Sequence, residues 1–120
     1  MSINAWIKSG KVYNLTTDAG ITTATPTYSA AVYKDSPYAS FQAIETGTGA
    51  LTATVVIQAS NDEATYKGTA NNWITIATIT LAGNDSVTDG LTTVAPWKYV
   101  RAGVTAISGT SATVKVLMGV

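Results

Sequence analysis

Cysteine and histidine are both missing from the 120 residues. Their absence removes thiol nucleophiles, Ser–His pairs, zinc held by His or Cys, iron–sulfur clusters and His-ligated haem. Charge is sparse as well. Seven basic and seven acidic residues cancel, and charged residues make up only 12% of the chain. No basic patch is available to neutralise phosphates, so nucleic acid is not an expected partner. A chain near zero net charge has little electrostatic defence against self-association, which suits a surface that works inside an assembly. Long apolar runs are also lacking. The start, Met1-Ser2-Ile3-Asn4-Ala5-Trp6-Ile7-Lys8, has no basic n-region and no extended hydrophobic stretch. Neither a signal peptide nor a membrane partner is expected from it, and synthesis and assembly in the cytoplasm follow as the expectation.

What the chain does have points to strands. Thr supplies about one residue in six, and Val, Ile and Tyr are frequent; these side chains suit a pleated sheet. Met, Glu and Arg, all good helix formers, are scarce. A chain of this length buries roughly two-thirds of its unfolded surface, enough for one core without a disulfide or metal staple.

The alternation of apolar and polar residues sharpens along the chain. Residues 1–37 read as a partly extended N-terminal arm with short strands at 11–15 and 29–33, interrupted by Pro26 and Pro37. The arm packs either on the domain or on a neighbouring subunit. Residues 38–120 read as the core of the same single domain. Strands are predicted at 39–45, 51–59, 73–81, 86–94, 98–107 and 112–118. The apolar set changes face between Ile76 and Ile79, which predicts either a bulge or burial on both faces. Thr46-Gly47-Thr48-Gly49, Ala82-Gly83-Asn84-Asp85 and Ser108-Gly109-Thr110 read as turns, the last closing a hairpin. Residues 60–72 read as a long polar loop. The sum is an all-β fold: a single β-sandwich of about six to eight antiparallel strands, with jelly-roll topology as one way to connect them.

The second half also resembles a known pattern. Gln58-Ala59-Ser60-Asn61-Asp62 is followed by Trp73 with Ile74 and Ile76, then by Leu81-Ala82-Gly83. Pro96-Trp97-Lys98-Tyr99-Val100-Arg101 comes next, and Ile107-Ser108-Gly109-Thr110 leads into Ala112-Thr113-Val114. This series resembles small structural proteins of tailed-bacteriophage virions, and in size and architecture the capsid decoration (cement) proteins. The resemblance implies a virion component on the capsid surface. It would bind the major capsid protein and itself, as a dimer or trimer, and bridge neighbouring capsomers to stabilise the head. The same pattern occurs in head–tail connector, tail and baseplate proteins and in carbohydrate-binding β-sandwich modules.

Candidate functional residues follow from these readings. Trp6, Tyr13, Tyr28 and Tyr33 in the arm, with Arg101 on the longest predicted strand, are the expected interface residues; aromatics and Arg dominate interface energetics. Docking is expected from residues 1–27, as a segment separable from the folded core. The plainer alternative has the arm's aromatics covering the core of their own domain. Arg101 is expected to pair with Asp89 or Glu45. Trp97 and Tyr99, near Trp73, are candidates for stacking on a glycan. Six of the seven carboxylates, all but Glu45, fall in predicted turns, where Asp bonds the local backbone. No catalytic pair, no cofactor site and no metal site is therefore assigned. Asn61, Asp62 and Glu63, or Asn84, Asp85 and Asp89, have oxygen ligands suited to calcium but no recognised spacing.

Overall fold

The computed structural model describes residues 11–120. The strands are β1 (Val12–Asn14), β2 (Thr27–Tyr28), β3 (Val32–Tyr33), β4 (Tyr38–Ser60), β5 (Ile74–Val94) and β6 (Tyr99–Gly119), with one helical turn, α1 (Glu63–Tyr66), between β4 and β5. All six belong to one antiparallel sheet that does not close. Its order is β1-β6-β4-β5, with β2 and β3 also paired to β6. No second sheet is present among the described residues.

The three long strands are the main departure from the predicted pattern. β4 has 23 residues. Drawn out straight, such a strand would span roughly 76 Å. The longest dimension of the molecule is 51 Å, so the strand must bend. The bend falls where the register against both neighbours breaks: between Thr46 and Ala50 against β5, and between Thr46 and Thr52 against β6. Opposite it lie Gly83 and Asn84 of β5 and Thr110 of β6. Positive φ angles cluster at this level, at Gly49, Asp85, Gly109 and Ser111. The Gly49 N–H donates to Asp85 Oδ1 at 2.7 Å and ties β4 to β5 across the crease.

The three predicted turns are therefore one crease running across the sheet. The chain bends at each of them and continues in the same strand. This overturns the hairpin predicted at 108–110: residues 99–108 and 113–119 both pair with β4, on either side of the crease. A hairpin needs the two segments to face each other, and here β4 provides a partner for each.

Alternation survives the crease in phase. Ala39, Phe41, Ala43 and Glu45 point inward before it, and Leu51, Ala53, Val55, Ile57 and Ala59 after it. One apolar cluster joins both sides, with Phe41, Val114 and Val116 from one arm and Val55, Ile57, Ile79 and Val104 from the other. Of the two predicted alternatives the bulge is present: Ile57 pairs with Ala77 and Gln58 with Thr75, which leaves Ile76 as the extra residue.

Residues 11–34 run along the outer edge of β6. β1, Leu15, the Ile21–Val114 bridge, β2, Ser29, β3 and Lys34 bond to it in succession. Leu15 and Ile21 are buried, and the buried Thr16 hydroxyl accepts from Val116 N at 3.0 Å. The expectation that residues 1–27 are separable from the folded core is therefore corrected. Two core side chains and much of the cover on the β6 edge belong to this segment.

Candidate interaction surface

The outer face of the arm that contains residues 99–103 gathers Tyr28, Tyr33, Tyr66, Trp73 and Tyr99 around Lys98 and Arg101. Its centre is Arg101, which pairs with Gln58 in the β4–β6 ladder. The Arg101 Nε–H donates to Gln58 Oε1 at 2.8 Å. Its guanidinium carbon lies 3.9 Å from the ring centre of Tyr28 and 4.6 Å from that of Trp73. Such cation–π contacts contribute about 0.5–2 kcal/mol each, more as water is excluded. Burial lowers the Arg101 pKa, and Tyr28 partly offsets this.

Local structure explains the arrangement. β2 sets Tyr28 opposite Gly103. A Cβ at Gly103 would lie 2.5 Å from Tyr28 Cδ1, so only glycine lets the ring lie down against β6 beside Arg101. One rung along, β3 sets Tyr33 opposite Tyr99, with ring centres 5.9 Å apart. Tyr66, from α1, stacks on Tyr99 at 4.4 Å and 18°. Lys98 lies 5.4 Å from the Tyr33 ring and 3.7 Å from Asp35, while the Tyr33 hydroxyl donates to Asp35 at 2.6 Å.

Asp62 organises the loop that carries Tyr66 and leads to Trp73. It caps α1 through Ala64 N and accepts from the Thr65 hydroxyl at 2.8 Å and Asn72 Nδ2 at 2.9 Å. The Asn72 and Thr65 bonds favour the charged form and lower its pKa. Between this loop and the sheet lies an open cleft of about 300 Å³, lined in part by Ser29, Thr65, Tyr66, Trp73 and Arg101.

The structure thus brings together Tyr28, Tyr33 and Arg101 from the expected interface set. Tyr13 lies apart, opposite Met118 near the far end of β6. Trp6 lies outside the described residues. Tyr99, a glycan-stacking candidate, already has one ring stacked on it and another tilted against it, and Trp97 packs against the core. Tyr66 is not among the candidates from the sequence, and Gln58 enters there only as part of the resembling series. Its meeting with Arg101 needs the β4–β6 register.

Several carboxylates are engaged by nearby groups. Asp85 and Asp89 accept from Gly49 N and Gly90 N, and Glu63 pairs with Lys67 at 3.2 Å. The Asn61 side chain accepts from Lys98 N. Among the described residues no group of three or more acidic side chains is placed to hold a metal ion. The expected Arg101 pairing with Asp89 or Glu45 is not formed: Arg101 bonds to Gln58 on the outer face, while Glu45 points inward.

Protein-family models, curated proteins and solved structures were each compared with the chain, and none matches.

Proposed function

We propose that the protein is a bacteriophage capsid decoration protein, which binds the head exterior through the major capsid protein and bridges neighbouring capsomers. The observation that carries this reading is the surface around Arg101. There, two tyrosines of the N-terminal segment, Tyr28 and Tyr33, meet Trp73, Tyr99 and Arg101 of the half that resembles virion proteins. Interfaces concentrate their energy in such aromatic and Arg side chains. Most of these rings are held by a neighbour, so little side-chain freedom remains to be lost on docking. Modest contacts suffice when each assembly unit engages several sites at once. The sandwich reading goes with this proposal in one form: the two arms of the creased sheet act as its two layers over a common core.

The test is co-sedimentation with heads that lack the protein. Tyr28→Ala and Arg101→Ala should each weaken binding about tenfold or more while the thermal transition stays cooperative. Binding of both variants at the wild-type level would contradict the assignment.

The cleft beside Trp73 favours one second reading, a carbohydrate-binding module. A glycan array probed with wild type and Trp73→Ala decides it: a specific hit lost in the variant supports that reading, and no hit by wild type removes it.

A further inference from the structure

Arg101 is the one arginine of the chain, and it is half-buried. Lys98 and Lys67 pair with Asp35 and Glu63. Arg101 has no carboxylate within ion-pair distance among the described residues. Its Nε–H is committed to Gln58, whose own amide donates to Thr75 Oγ1 at 3.4 Å and so turns its oxygen toward the guanidinium. The rings of Tyr28 and Trp73 lie against the same group. Its two Nη groups are left over: neither donates to a described residue. Burial works against the charge of this side chain. A half-buried cation with open donors and no counter-ion is costly until a ligand completes it.

We propose that the cleft beside Trp73 receives a carboxylate side chain, Asp or Glu, of a protein partner, held end-on by the two Nη groups of Arg101. Three features select this ligand. First, the open donors form a planar fork that matches the two oxygens of a carboxylate. Gln58 and the two rings already hold the guanidinium, so docking orders little more. Secondly, the charge fits a single negative group. Asp62 accepts from Thr65, which lines the cleft, and so places a negative charge behind that wall. A phosphate, with about −1.5 to −2 charge, would meet Asp62 with only one cation to hold it. Thirdly, the size is small. At about 300 Å³ the cleft lies at the lower end of ligand sites, which suits one side chain better than a run of sugars. Trp73, Tyr66, Ala31 and Ala70 in its walls give the methylene stem an apolar surface. The inference deepens the docking reading above and rests on it for the choice of a protein side chain.

The test is an NMR titration of the purified full-length chain, read at the Arg101 Nε–H and Trp73 Nε1–H signals. The probes are acetyl-Ala-Glu-Ala-amide, its Gln counterpart, inorganic phosphate and N-acetylneuraminic acid. The Glu peptide should give saturable shifts and bind about tenfold more tightly than the Gln peptide, the difference between a charged and a neutral acceptor. Arg101→Lys, which keeps the charge and loses the fork, should weaken the Glu peptide about tenfold at the Trp73 signal. Circular dichroism checks that this variant is folded, and the Glu–Gln comparison on wild type decides the matter without it. Equal binding of the two peptides overturns the proposal. So does tighter binding of phosphate or of the acidic sugar, or a folded Arg101→Lys chain that binds the Glu peptide like wild type. Sedimentation with heads separates this inference from the docking reading. Heads decorated through Arg101, with no preference for the Glu peptide, strike the carboxylate site and leave the docking reading. Glu-selective binding by a protein that ignores heads does the reverse.

Discussion

Glu45 lies between Val87 and Val114 on the inner face of the sheet. It is fully buried, and neither carboxylate oxygen has a hydrogen-bond partner among the described residues. Burial opposes ionisation and raises its pKa. The folded state therefore favours the protonated form. The stability Glu45 contributes is fully present below the ordinary carboxylate pKa and is lost as pH rises through the raised folded value. Glu45→Gln is neutral at every pH and keeps the shape. At neutral pH it should stabilise the protein, because an amide carries no charge that burial must keep out, and the urea unfolding midpoint reads the gain. It should also flatten the fall in melting temperature as pH rises above the ordinary carboxylate range. Identical pH profiles for variant and wild type would show that Glu45 is not held in this environment. The sequence marked Glu45 as the one carboxylate outside a turn but gave no reason to place it in the core. Its inward position follows from alternation with Phe41 and Ala43, and apolar patterning alone ranks a Glu as surface. Lys34 is a parallel case. It is buried, and its ammonium donates to the carbonyls of Ser36 and Ala95, contacts that no local pattern announces.

At the scale of elements, strand identity was legible and strand continuity was not. Alternation in 39–45 and 51–59 located both arms of β4, and the Ile76–Ile79 phase change located a real bulge. The glycine-rich breaks predict reversals because Gly-Thr-Gly and Ser-Gly-Thr have turn chemistry. The same conformational freedom also permits a sharp bend inside a strand, and only the shared register of β4, β5 and β6 distinguishes the two. Gly109 gives the test. Its φ of +134° lies where side chains are strained, and a Cβ there would run into Leu51. Gly109→Ala should cost about 2–3 kcal/mol in urea unfolding. In a loose hairpin turn the same change would be absorbed, so a wild-type midpoint would contradict the crease.

At the scale of the whole molecule, prolines and weak periodicity in residues 1–37 predict a partly extended arm that packs on its own domain or on a neighbour. Its hydrogen bonds go to β6 in short runs, too short for alternation to show and dependent on an edge more than sixty residues away in the chain. Tyr28 and Tyr33 are thus fixed beside Arg101 instead of being displayed on a tether. Two of the arm's aromatics therefore share one face of the sheet with Tyr99 and Arg101.

The central claim, that the protein works on the outside of a phage head, is tested most directly by electron cryomicroscopy of virions that carry it. The account predicts density for the folded sheet on the capsid exterior at positions between capsomers, with the Tyr28–Arg101 face turned toward the major capsid protein. Density confined to the tail or baseplate, or heads without it, would contradict the account.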